Sequence, residues 1–171
     1  MIESERLLLR PITEDDFDEL AVMLRDPDVM RAWEHTFSDE QIKAWIARRM
    51  AGYAACGHDY WLAVERESGA AVGQIGLLEE DVEGERVLGV GWMLKKACWG
   101  RGYAQEGARA CIDHAFQVLG ETRVMADIRP ENTASVAVAL RLGMVKTGSF
   151  VKHYNGIDMV HDVYELRKAQ A

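Results

Sequence analysis

Between Tyr60 and Leu94 the chain offers three strand candidates in close succession, Tyr60–Glu65, Val72–Leu78 and Val87–Leu94, and a strong amphipathic helix follows them. In that helix Ala104, Ala108, Ile112 and Phe116 form one i, i+4 row; Gly107, Cys111, Ala115 and Leu119 form the adjacent one. Glu67-Ser68-Gly69 supplies a turn after the first strand, and the acidic run EEDVEGE (79–85) reads as the turn after the second. Glycines at 73, 76, 89 and 91 interrupt the strands, and a glycine inside a strand marks a bulge or a close backbone approach.

The flanking segments complete the pattern. Glu5–Arg10 is a strand stopped by Pro11. Thr13 is an N-cap, with Asp15 and Asp16 in the first turn and Phe17, Leu20, Ala21 and Leu24 on one helical face. Ser38 with Gln41 three residues on has capping-box spacing, and Gly57 stops the second helix. Arg123–Ile128 is a strand and Asn132–Leu142 a short helix with Gly143 at its C′ position. Met144–Val151 and Met159–Leu166 are the last strands. The order β-α-α-β-β-β-α-β-α-β-β predicts a mixed α/β (α+β) architecture, one sheet with helices against it, in a single domain over 1–171.

Lys plus Arg is 20 and Asp plus Glu 28, a formal charge of −8. Such a chain is a poor binder of phosphate backbones, which argues against nucleic acid as a partner, while a local basic patch still suits one anionic ligand. Cys56, Cys98 and Cys111 lack C-x-x-C spacing and read as free thiols in a reducing compartment. The five histidines contain no H-x-x-x-H pair, so no metal is expected. The opening MIESERLLLR is neither a signal peptide nor a membrane span; a cytoplasmic protein without a membrane partner is expected.

The stretch CWGRGYAQEGARA, 98–110, sets Gly100 and Gly102 directly before the strong helix. Two readings stand on these residues alone. One is a tight strand-to-helix turn. The other is an anion cradle, because the first N–H groups of a helix have no internal partner and glycines let a phosphate approach backbone. Lys95, Lys96, Arg101 and Arg109 make this corner basic. A dinucleotide fingerprint would need a third glycine where Gln105 stands, and no P-loop is present.

These residues carry a resemblance. Residues 91–110, GWMLKKACWGRGYAQEGARA, resemble the acyl-CoA-binding motif Q/R-x-x-G-x-G/A of the GCN5-related N-acetyltransferase (GNAT) superfamily, filled by Trp99, Gly100, Arg101, Gly102, Tyr103 and Ala104. A tryptophan in the first place is similar to the branch that acetylates the N-termini of ribosomal proteins (RimJ/RimL-type). Arg129 to Ser135, running on to Leu140-Arg141-Leu142-Gly143-Met144, resembles that branch's P-x-N-x-x-S…K-L-G-F segment. Tyr154 to Asp158, His161-Asp162-Val163 and the opening ERLLLRPIT resemble it as well. The likeness spans nearly the whole chain.

The resemblance implies a twisted mixed sheet splayed after its fourth strand, with helices on both faces and acetyl-CoA in the gap. Met93 and Leu94 would pair with the pantetheine arm. The N–H groups of Gly100, Arg101, Gly102, Tyr103 and Ala104 would hold the diphosphate, and Asn132 would bond the pantetheine. An N–H near Leu94 would be the oxyanion donor. The implied activity is direct attack of a primary amine on the thioester; the acceptor is a protein N-terminus or a small amine. A homodimer is compatible with this set of partners.

For the catalytic base, Glu79 is preferred over Glu80, because it adjoins the apolar run; a solvated acidic turn is the alternative for both. The tyrosine that many members carry in the helix after the Asn is Ala139 here, so Ser135 is the nearest candidate acid, its alternative being a first-turn hydroxyl bonded to backbone. Lys96 and Met144 replace the branch's usual Pro and Phe. Trp33, Glu34, His35, His153 and Tyr154 either shape an acceptor pocket or pack. A non-catalytic acyl-CoA-binding or sensing module is the alternative function, favoured by the missing tyrosine; another anion or nucleotide binder is a third.

Overall fold

The computed structural model describes residues 1–82 and 84–169. Among them eight strands form one sheet: β1 (Ile2–Glu3), β2 (Leu7–Pro11), β3 (Tyr60–Glu65), β4 (Ala71–Val82), β5 (Glu85–Leu94), β6 (Arg123–Ile128), β7 (Val145–Tyr154) and β8 (Ile157–Arg167). The order across the sheet is β1-β2-β3-β4-β5-β6-β8-β7. Helices α1 (Phe17–Leu24) and α2 (Asp39–Cys56) cover one face, α3 (Tyr103–Gln117) and α4 (Thr133–Arg141) the other. Among the described residues no helix is long and apolar enough to cross a membrane.

Pairing is antiparallel from β1 to β5 and again through β6, β8 and β7. Between the two halves β5 and β6 run parallel, joined by the crossover through α3, and they share one register pair, Gly89 with Met125. Beyond it the strands part. This is the splay expected after the fourth strand; that strand is β5, because the short β1 precedes it.

Local chemistry fixes the helices where the sequence puts them. The Ser38 hydroxyl accepts the Gln41 N–H at 3.3 Å and the Gln41 side chain accepts the Ser38 N–H at 2.8 Å, opening α2; Gly57 closes it at φ 82°. After Thr13 a single 3₁₀ turn, Glu14–Asp16, precedes α1. Helix α3 lies close against β4 because Gly107 has no side chain; a methyl there would overlap the Ile75 side chain.

The strand glycines serve close approach. A methyl on Gly76 would overlap backbone of Asp59 and Tyr60, and one on Gly91 would overlap the Tyr60 phenol. The Tyr60 ring crosses the sheet over these two residues. Gly76→Ala therefore has no side-chain escape, and we expect it to lower stability by about 3 kcal/mol, read as a loss of about 6–12 °C in Tm.

Two segments differ from the sequence reading. EEDVEGE is not a seven-residue turn: β4 runs on to Val82, which pairs with Glu85, and residue 83 lies outside the described residues, as do 170 and 171 of the single domain. Charged side chains did not end the strand because they alternate along a ladder whose backbone remains paired. The final hairpin is likewise longer, turning at Asn155 (φ 50°) and Gly156 (φ 75°), a two-residue turn that suits the strand twist. The extra residues carry Lys152 and Tyr154.

Candidate active site

Gly100 (φ 75°) and Gly102 (φ 81°) both sit in the left-handed region, and α3 starts at Tyr103. The first N–H after the turn with an internal acceptor is that of Glu106, which donates to the Gly102 carbonyl at 3.0 Å. Among the described residues the N–H groups from Gly100 to Gln105 donate to nothing within the chain. A methyl on Gly100 would meet nothing within 4 Å, so this side of the turn is open. Such an array of dipoles at a helix start fits a diphosphate.

The N-terminal segment braces the cradle. Arg6 donates to the Arg101 carbonyl at 3.0 Å and to the Glu106 carboxylate at 2.7 Å, and stacks over the Tyr103 ring. Burial pushes the Glu106 carboxyl up, but bonds from Ser4 and Arg6 outweigh it and hold it below its ordinary value. Tyr103 itself is buried and bonds Glu65, so only its backbone faces the cradle. Of the four expected cations, Lys95 pairs with Glu19, Lys96 with Asp28, and Arg109 donates to the Leu142 carbonyl. Arg101 is exposed at the turn.

Along β5 the ladder decides which amides face the gap. The Lys95 N–H donates to the Val72 carbonyl on the β4 side at 2.9 Å. In an antiparallel pair the direction alternates, so residues 91 and 93 also face β4, while Val90, Trp92 and Leu94 turn their N–H and C=O toward β6. Since β6 pairs with β5 only at Gly89, the Trp92 and Leu94 amides border the splay. The Trp99 indole donates to the Leu94 carbonyl at 3.1 Å, folding the motif's first residue back onto the strand. Met93 is buried on the α1/α2 face, where its sulfur meets the Gln74 amide. Asn132 caps α4 by accepting the Ser135 N–H on its Oδ1 at 3.3 Å, which leaves its NH₂ group available.

On the α1/α2 face the gap is flanked by charge. Glu80 lies over Gly89, where a methyl would come within 2.9 Å of its Cγ. The Lys152 ammonium reaches Asp127 at 2.9 Å and Glu80 at 3.6 Å, so one cation serves two carboxylates. Burial, then the Asp127 charge, push the Glu80 carboxyl above its ordinary value; Lys152 opposes them without prevailing. Burial pulls the Lys152 ammonium down, but Asp127 and Glu80 hold it above its ordinary value, so it stays charged. Beside this cluster Trp33, Trp45, His35 and Tyr154 pack edge to face, with the Tyr154 hydroxyl 3.2 Å from His35 Nε2. Arg129 ties this wall to the end of β6 through the Ala32 carbonyl (3.1 Å) and Glu34 (2.6 Å).

The structure thus brings together most of the expected residues and separates two. His153 pairs outward with Asp158. Glu79 turns to the other face of β4 from Glu80, where it binds Arg86 and faces His58 Nε2 at 3.2 Å. Cys56, His58 and Glu79 offer donor atoms within 4.8 Å of one another, yet the thiol faces His58 Nδ1 and the carboxylate faces Nε2, which suits separate contacts on the two ring nitrogens better than one shared ion. Ser135 is half-buried in the first turn of α4, and Ala139, one turn on, is wholly buried. Tyr60, Asp127 and Lys152 escaped the sequence reading; the readable signal was strand alternation, which puts Glu80 rather than Glu79 on the face of Gly89 and Gly91.

Comparison with known proteins agrees with this geometry. The profile of the family described as "acetyltransferase (GNAT) domain" matches residues 6–145. The uncharacterized protein YkkB of Bacillus subtilis (strain 168) is 32% identical over 142 residues, covering 82% of this chain and 83% of its own. The crystal structure of a GNAT-family acetyltransferase from Bacillus anthracis matches with a TM-score of 0.82 at 25% identity over 97% of both chains. That of the ribosomal-protein-S5-alanine acetyltransferase from Vibrio fischeri matches at 0.76 and 22% identity, over 96% of this chain and 94% of that one.

Proposed function

We propose that this chain, which belongs to the GNAT acetyltransferase family and is an N-acetyltransferase, moves an acetyl group from acetyl-CoA to a primary amine that arrives as a cation, either a protein N-terminus or a small amine. One observation carries the reading: a run of backbone amides, unpartnered among the described residues, that starts along the splay at Trp92 and Leu94 and resumes from Gly100 at the head of α3. The cradle amides of Gly100 to Ala104 would hold the diphosphate, Asn132 and the gap-facing backbone of Trp92 and Leu94 the pantetheine, the Met93 backbone being turned toward β4 instead, and a gap-facing amide the thioester oxygen. Losing one such oxyanion donor costs about 2.7–4 kcal/mol in other enzymes.

The acceptor side supports a cationic amine. Two carboxylates share one lysine there, and aromatic rings line the approach. An α-amine with a pKa of about 7.7–8.0 is roughly a tenth neutral at pH 7, whereas a lysine near about 10.4 is almost wholly charged. An N-terminus therefore needs modest help, and Glu80 has the position to take the proton, directly or through water.

The test is incubation with acetyl-CoA and a panel of N-terminal peptides and amines while free thiol is measured. Thiol release with a defined acceptor is expected; CoA binding without release across the whole panel would overturn the reading in favour of a binding module. Ser135, the branch's motif serine, lies on the α4 wall, and Ser135→Ala is expected to lower kcat by about tenfold with KM for acetyl-CoA unchanged. A turnover equal to that of the wild type would remove it from the site.

A further inference from the structure

The family position for a catalytic tyrosine is occupied by Ala139, which is wholly buried in the core and cannot serve. The opposite wall of the gap holds a phenol. Tyr60 is 9% exposed; its backbone N–H and C=O are hydrogen-bonded, whereas its hydroxyl makes no hydrogen bond among the described residues. Its neighbours are otherwise engaged: the Trp45 indole donates to Gln74 at 3.0 Å, Arg49 pairs with Asp59 at 3.0 Å, and Lys152 is held by Asp127. The ring is rigid, stacked on Trp45 at 6.0 Å between centroids, with the Arg49 guanidinium 5.6 Å from its centre.

Its direction matters most. The hydroxyl lies where a side chain on Gly91 would start, and Gly91 is followed by Trp92, whose amide borders the splay. Extending the parallel register from Gly89–Met125 sets Asp127 across the gap from Gly91. Glu80 lies over Gly89, two residues back, or about 6.6 Å along the strand. The ring is buried but the hydroxyl, which makes no hydrogen bond among the described residues, is not among the fully buried polar atoms; it reaches the vertex of the gap, beside the Trp92 amide and within two residues of the Glu80 carboxylate.

Resting on the acetyl-transfer reading, we infer that the Tyr60 hydroxyl contacts the thioester sulfur and gives it a proton as it leaves, taking the role that position 139 cannot fill. In this step the amine lone pair forms the C–N bond and the C–S bond breaks with its electron pair going to sulfur. The phenolic proton passes to that sulfur, giving the CoA thiol. Before attack the ammonium gives one proton to Glu80, which passes it to solvent. After attack the second proton lost by nitrogen passes to the Glu80 carboxylate and restores the phenol through water, so two protons leave nitrogen, one to solvent and one matched by the proton that arrives at sulfur.

Tyr60→Phe keeps the ring and removes the oxygen. Single-turnover acetyl transfer is expected to fall about 100-fold, with Tm and KM for acetyl-CoA unchanged. Gly91→Ala, whose methyl takes the hydroxyl's place, should produce a similar loss, and the double variant no further loss. A second readout needs no turnover: the wild type should bind CoA about fivefold more tightly than desulfo-CoA, one hydrogen bond's worth, and Tyr60→Phe should bind both alike. If no amine is acetylated but this preference vanishes in Tyr60→Phe, the acetyl-transfer reading fails while the hydroxyl–sulfur contact stands. A Tyr60→Phe rate within about threefold of wild type, or an unchanged preference for CoA, overturns the inference.

Discussion

Glu80→Gln is expected to lower kcat about a thousandfold while leaving KM for acetyl-CoA and Tm close to the wild-type values. Glutamine keeps the shape over Gly89 and removes the ability to take a proton. The carboxyl suits the task because its proton affinity is raised by burial and by Asp127 and restrained by Lys152. A base held above the ordinary carboxylate range drives proton transfer harder than a free carboxylate.

The pH dependence gives the same prediction a sign. Protonating Glu80 abolishes the base, so kcat at saturating acceptor should fall as pH drops through a value above the usual carboxylate pKa. The groups that face Glu80 are Asp127 on β6, Lys152 on β7, Tyr60 on β3 and Arg48 on α2; Gly89 on β5 presents no side chain. Asp127→Asn removes a like charge and should move that acid limb to lower pH. Lys152→Met removes the compensating cation and should move it up. An acid limb that follows the acceptor amine's own pKa and ignores both substitutions would take Glu80 out of the proton path.

Sequence reading captured whatever local chemistry decides. Ser38, Gln41 and Gly57 bound α2 as a capping box and left-handed stop require, and Gly100-Arg101-Gly102 opens α3 with its amides free. The mixed sheet and its splay followed from element order and motif. What escaped was the consequence of faces and lengths. Seven residues rich in acid looked like a turn, yet continued pairing made 79–82 and 85 strand and put Glu79 and Glu80 on opposite faces. Reading residues 79–82 as strand would have exchanged the preferred base. Lys152 and Asp127 are 25 positions apart and meet only because β8 lies between their strands, so no local pattern announces them. Tyr60 read as the ordinary start of a strand; its reach depends on Gly76 and Gly91, which were noted as close-approach sites without a partner to approach.

Gly102→Val should raise KM for acetyl-CoA enough to lower kcat/KM about a thousandfold, the loss of two charge-assisted bonds to a diphosphate at about 1.5–3 kcal/mol each. The cause is conformational. Gly102 sits at φ 81°, where a β-branched residue is strained, and the nearest obstacle to a methyl there is the Arg6 guanidinium at an ordinary 3.5 Å. The fold should therefore survive at a cost of about 1–2 kcal/mol, seen as a Tm lower by about 5 °C, while the turn relaxes and its amides lose their common direction. Acetyl-pantetheine separates this from general damage, because it has the thioester and no diphosphate. Its turnover should be equal in wild type and variant. If acetyl-pantetheine suffers as much as acetyl-CoA, the damage lies in the gap; if neither suffers, the diphosphate is bound somewhere other than the head of α3.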